Sequence, residues 1–109
     1  MKVLKVTKDY EGLTRIENGD YVLEGDLIFD GDIEIKLDDR LLVRGSIAAE
    51  GSITAGGSIL ADGYITADEY ITAGGHIDAG RYIDAGRYIT AGGHIKLNQS
   101  TPRQDGQDR

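Results

Sequence analysis

Apolar residues recur every six positions along most of the chain, at Leu23, Phe29, Ile35, Leu41, Ile47, Ile53, Ile59, Ile65, Ile71, Ile77, Ile83, Ile89 and Ile95. From Ile47 onward a small apolar residue follows two positions later, at Ala49, Ala55, Ala61, Ala67, Ala73, Ala79, Ala85 and Ala91. The unit is Ile-x-Ala-x-x-x. Residues i and i+2 lie on one face of a strand, so Ile and Ala point inward together and the middle residue points out. The two positions after Ala are mostly Gly or acidic, as in Gly56-Gly57, Asp62-Gly63 and Gly80-Arg81. Gly and Asp tolerate the left-handed backbone of a tight corner. On that reading Asp68-Glu69, a corner without Gly, is the most strained. A helix does not fit: its period is about 3.6, and each interior Gly costs it about 1 kcal/mol.

A longer period of 18 residues overlies the first. Segments 40–57, 58–75 and 76–93 each end in Ile-Thr-Ala-Gly-Gly. Aligned this way, Tyr64 lies over Tyr82, Tyr70 over Tyr88 and His76 over His94, and Thr54, Thr72 and Thr90 form a column. Three six-residue sides close one triangular coil, and neighbouring coils pair as parallel strands about 4.8 Å apart. The expected fold is all-β, a single-stranded parallel β-helix. Residues 22–97 supply about four coils, each too small to be stable alone. In 22–39 the same frame puts Leu23, Phe29 and Ile35 inside with Gly25, Gly31 and Leu37 at i+2, and it runs unbroken to Ile95. Residues 1–21 leave the frame. Val3, Leu4, Val6, Tyr10, Leu13 and Ile16 suit an irregular N-terminal cap over the first coil, where an open end would expose unpaired backbone. Residues 98–109 are polar and read as a disordered tail.

Composition narrows the chemistry. With no Cys, disulfides and thiolate metal sites are excluded. No apolar run reaches the roughly 20 residues of a membrane span, and the N-terminus lacks a signal-peptide core, so a cytoplasmic protein without membrane insertion is expected. Nineteen acids against twelve bases give a net charge of −7, which argues against direct nucleic-acid binding and permits a basic protein partner.

The outward residues supply the candidate sites. Tyr64, Tyr70, Tyr82 and Tyr88 precede inward Ile residues, with Thr66, Thr72 and Thr90 beside them. Tyr is enriched at protein interfaces, so these residues form the candidate interface, for a protein partner or a homo-oligomer. Simple β-propensity explains part of the same pattern. A single Thr column is too narrow to argue for ice binding. His76 and His94, one coil apart with Asp78 near, are candidate metal ligands that would need a third protein ligand; the ordinary alternative is a surface ladder. Between Glu17 and Asp39 lie nine acids and one base, a local net charge of −8. Asp20, Asp26, Asp32 and Asp38 recur every six residues, and with Asp30 and Asp39 they make an acidic surface. Solubility explains it, and so does competition with a nucleic acid for a basic partner. Calcium at Asp30 and Asp32 lacks any known loop spacing. Glu69 with Arg87, and Asp62 with Arg81, are expected as register-supporting pairs. Ser46, Ser52 and Ser58 have no base and orienting acid around them, so no catalytic residue and no cofactor is assigned.

The Ile-x-Ala-x-Gly-x pattern over 23–97 resembles two groups of hexapeptide-type β-helix proteins. One is the left-handed hexapeptide-repeat transferases, and it implies a left-handed coil. The other is the bactofilins, bacterial polymer-forming cytoskeletal proteins, whose corners Gly25-Asp26-Leu27 and Gly31-Asp32-Ile33 resemble. The transferases add an extruded loop, a catalytic His and a pocket between subunits, and no such loop interrupts the frame here. The leading expectation is a non-enzymatic solenoid that binds a protein or itself through its outer faces. A small acidic inhibitor of the kind a phage encodes is the alternative: an anti-CRISPR or anti-restriction protein covering the basic site of a host nuclease. A minimal transferase or metal enzyme, with His76 and His94 at a subunit boundary, is the third.

Overall fold

The computed structural model describes residues 2–16, 19–37 and 39–97. Asp38 and the expected tail 98–109 lie outside them. The described chain is all-β, a parallel solenoid of about four turns without a helix. Its strands are short because each six-residue side spends half its length turning. In chain order they are β1 (Val3–Val6), β2 (Leu13–Arg15), β3 (Tyr21–Glu24), β4 (Leu27–Phe29), β5 (Asp32–Ile35), β6 (Leu41–Arg44), β7 (Ile47–Ala49), β8 (Ile53–Ala55), β9 (Ile59–Ala61), β10 (Ile65–Ala67), β11 (Ile71–Ala73), β12 (Ile77–Ala79), β13 (Ile83–Ala85), β14 (Ile89–Ala91) and β15 (Ile95–Leu97).

Every third strand stacks on the same wall. The first wall has the order β2-β3-β6-β9-β12-β15, the second β4-β7-β10-β13 and the third β1-β5-β8-β11-β14. All neighbours are parallel except β2 and β3. Inside, Ile47, Ile53, Ile59, Ile65, Ile71, Ile77 and Ile83 are completely buried, and the Ala two residues on from each is nearly so. The core is one continuous column because the period of two keeps both on the inner face. β1 runs parallel to β5 and β2 antiparallel to β3, so Val6, Leu4, Tyr10 and Leu13 pack on the first coil.

The first coil departs from the expected frame. Leu41 pairs with Tyr21, Ile47 with Leu27 and Ile53 with Ile33, a step of 20 residues, whereas Leu41 pairs with Ile59 at a step of 18. Leu23, Phe29 and Ile35 therefore stand under Val43, Ala49 and Ala55, in the small-residue column. They still face inward, because a shift of two preserves strand parity. The extra two residues fall between Ile35 and Leu41, where Leu37 is drawn into the core and Lys36 N–H donates to the Val6 carbonyl at 2.8 Å. Gly25 and Gly31 are not inner residues; both lie at corners.

The corner glycines also have a different cause from the one expected. Left-handed backbone occurs at Gly12, Gly19 and Gly25 only among the glycines of the described residues, in the cap and first coil. At several regular corners Gly instead leaves room for the coil below. A Cβ on Gly86 would fall on the Asp68 carbonyl oxygen one coil below, and one on Gly74 on the Gly56 carbonyl. The strain assigned to Asp68-Glu69 has no basis in backbone handedness, since its glycine-bearing counterparts do not use it.

The cap is tied down by Lys2. Its Nζ reaches Asp30 at 2.9 Å, and its carbonyl accepts from Asp32 N–H at 2.9 Å. The hydrogen bond, then the charge, of Asp30 raises the Lys2 pKa above its ordinary value; the same two causes lower that of Asp30. The sign follows for stability. The Asp30 contribution is present above the ordinary carboxylate range and is lost as pH falls through the lowered value. The Lys2 contribution is present below the ordinary lysine range and is lost as pH rises through the raised value. NMR titration should place the Asp30 midpoint below that of a free Asp, and Lys2→Gln should return it upward; an unmoved midpoint would show the pair to be unformed in solution.

Candidate functional site

Three corner columns carry the chemistry of the surface. Each stands one residue before the inward residue that opens a side of the coil. Read along the solenoid axis they are Asp26, Ser46, Tyr64 and Tyr82; Asp32, Ser52, Tyr70 and Tyr88; and Asp20, Arg40, Ser58, His76 and His94.

In the lower coils these side chains satisfy the backbone of the coil above. Ser46 N–H donates to Asp26 Oδ1 and Ser52 N–H to Asp32 Oδ1, both at 2.8 Å. Tyr64 N–H donates to Ser46 Oγ at 3.0 Å, Tyr70 N–H to Ser52 Oγ at 3.2 Å and His76 N–H to Ser58 Oγ at 2.8 Å. The pattern explains a second set of glycines. A Cβ at Gly45, Gly51, Gly63 or Gly75 would land on the accepting oxygen of Asp26, Asp32, Ser46 or Ser58. At the equivalent place over Ser52 stands Glu69, and there the bond is the longest of the five. Asp26 and Asp32 are thus coil-locking residues as well as acids.

The rest of the acidic surface is partly neutralised. Asp20 pairs with Arg40 at 2.9 Å, Asp39 with Arg15 at 3.1 Å and Asp30 with Lys2. Arg15 also lies over the Tyr21 ring, 5.1 Å from its centre. The expected Glu69–Arg87 and Asp62–Arg81 ion pairs do not form among the described residues. Arg87 and Arg81 donate backbone N–H to the Glu69 and Gly63 carbonyls, while their side chains extend into solvent.

The upper coils carry stacked rings. Tyr64 and Tyr82 lie 5.1 Å apart and 8° from parallel, Tyr70 and Tyr88 5.8 Å and 18°, His76 and His94 4.2 Å and 23°. Tyr88 is the most open, 61% exposed. The two Tyr columns stand on two different corners with the β10–β13 wall between them, so they frame a face rather than fuse into one patch. Thr54, Thr72 and Thr90 run up the next wall in register.

The histidines open onto a groove of about 170 Å³ with Arg40, Leu60, Asp78 and Lys96. His76 Nδ1 accepts from the His94 backbone N–H at 2.9 Å, which takes one of its two nitrogens out of any metal's reach. Among the described residues no three His, Cys, Asp or Glu side chains are placed to hold a metal ion. No helix among them is long and apolar enough to cross a membrane.

Sequence reasoning missed the apolar residues on the outside. On the first wall partly exposed Leu42 and Leu60 stand in one outward column above a buried Val22, and Ile28 and Ala48 begin that of the second. Ile28 is 66% exposed, more than any other large apolar residue described. The available signal was the middle position of the repeat, which is aliphatic at these five places and Thr, Asp, Glu or Lys elsewhere. Comparison with protein families, with curated proteins and with solved structures returns no match to this chain.

Proposed function

We propose that this solenoid is a non-enzymatic binding and assembly protein whose stacked tyrosines contact a second copy of itself or another protein. The carrying observation is the pair of exposed Tyr columns, Tyr64–Tyr82 and Tyr70–Tyr88, held rigid by the coils beneath. A pre-stacked ring loses little conformational freedom on binding and offers both an apolar face and a hydroxyl. The resemblance of the repeat to bactofilins supports assembly with like subunits, and the −7 charge favours a basic surface where the partner is another protein. Light scattering should give a mass above that of the monomer, and Tyr82→Asp with Tyr88→Asp should reduce it to the monomer. These side chains are more than one-third exposed, so the fold should survive with an unchanged circular dichroism spectrum. Monomeric wild type that captures no partner would overturn the reading.

A further inference from the structure

The second wall carries a shallow groove of about 510 Å³ that no element of the described chain fills. Its floor is Ala48 and Ala49, with Thr66 above and exposed Ile28 at the lower end. One edge is a corner column of acids, Asp30, Glu50 and Asp68, each one coil above the last. Asp30 is held by Lys2, whereas Glu50 and Asp68 form no ion pair among the described residues. A column of Ile28, Ala48 and Thr66, aliphatic in its lower two coils, thus runs parallel to the line of acids, two residues away along each strand, or about 7 Å.

We infer that this groove docks a basic amphipathic helix lying along the solenoid axis. The inference rests on the protein-binding reading above and gives it a face and a partner chemistry. The acids repeat at the coil spacing, about 4.8 Å, or roughly 9.6 Å over two steps. A helix advances about 1.5 Å per residue, so cations at i, i+3 or i+4, and i+7 span about 10.5 Å and meet all three. An extended peptide presents same-side residues about 6.6 Å apart and falls out of step at the second acid. Lys and Arg also suit this column, since their stems cover apolar surface while their heads reach the acids. Ile28 then packs against an aliphatic residue of the helix.

The probe is a capped peptide of about four helical turns with Arg at i, i+4 and i+7 beside a Leu stripe. The control has the same composition with Arg at every second position. Titration should show binding of the first and at least tenfold weaker binding of the control. Because the described protein has no helix, a gain of helical circular dichroism on mixing reports the peptide directly. Glu50→Gln with Asp68→Asn should weaken binding about tenfold and reduce its salt dependence, and Ile28→Ser should weaken it without unfolding a wall it does not support. Glu34→Gln, on another wall, should leave it unchanged. Equal binding of the two peptides, no helical gain, or indifference to the groove variants would overturn the inference. Self-association through the tyrosines is measured without peptide, so it succeeds or fails separately.

Discussion

Ile71→Ala should destabilise the protein by about 2–5 kcal/mol, seen as a fall in the urea midpoint with little change in slope. Ile71 is fully buried at mid-height, with Ile53 below it and Ile89 above in parallel register. Removing three carbons there loses transfer free energy and leaves a cavity that stacked coils cannot close. The backbone hydrogen bonds to both neighbouring coils hold the walls apart at fixed spacing. Ile95→Ala, in the last described coil where the residue is only partly buried, should cost markedly less. Ile28→Ala, largely exposed, should stay within about 0.5 kcal/mol. This grading by position is the stronger test, because stability in a solenoid is a sum of contacts between neighbours. An Ile71 variant as stable as the Ile28 one would mean the isoleucines do not form a common interior.

The core was legible because Ile and Ala at i and i+2 state strand parity on eight coil-sides in succession, from Ile47 to Ala91, and no helix can share that period. The register of the first coil was not. Leu23, Phe29 and Ile35 continue the sixfold spacing of the upper coils, whereas Tyr21, Leu27 and Ile33, also six apart, meet the upper frame at Leu41 only across two extra residues. The resemblance of Tyr21-x-Leu23 to Leu41-x-Val43 was the available clue, and the extra two residues hide in a polar stretch that can be cut in either frame. The glycines were misread for a related reason. Their need comes from a side chain or carbonyl one coil away, and local sequence signals conformation but not a neighbour 17 or more residues distant. Of the candidate site, the ring columns were readable from the 18-residue repeat. The groove on the second wall was not, because the repeat turns Ile28 and Ala48 outward but only the coil register sets them one above the other beside Asp30, Glu50 and Asp68.

The second large effect is expected at Ser58 and Gly75, one coil apart. Ser58 is buried, and its Oγ accepts from His76 N–H at 2.8 Å. Gly75, the residue just before His76, leaves the space that this hydroxyl occupies. Ser58→Ala removes the acceptor and leaves a part-buried N–H unpaired, at about 1 kcal/mol. Gly75→Ala should cost a similar amount by another route, since its methyl would drive the same hydroxyl off the bond. The backbone of Gly75 is not left-handed, so alanine meets no conformational penalty there. The two losses are one loss. Once Ser58 is alanine the hydroxyl is gone and the new methyl meets only the residue-58 backbone nitrogen at 3.3 Å and the Gly57 carbonyl carbon at 3.4 Å, so adding Gly75→Ala should cost far less than it does in the wild type. A double-mutant cycle by urea unfolding should therefore show a coupling of about 1 kcal/mol, beyond the 0.3–0.5 kcal/mol scatter of independent sites. Simple additivity would mean that Gly75 serves the turn alone and that the hydroxyl columns do not lock one coil to the next.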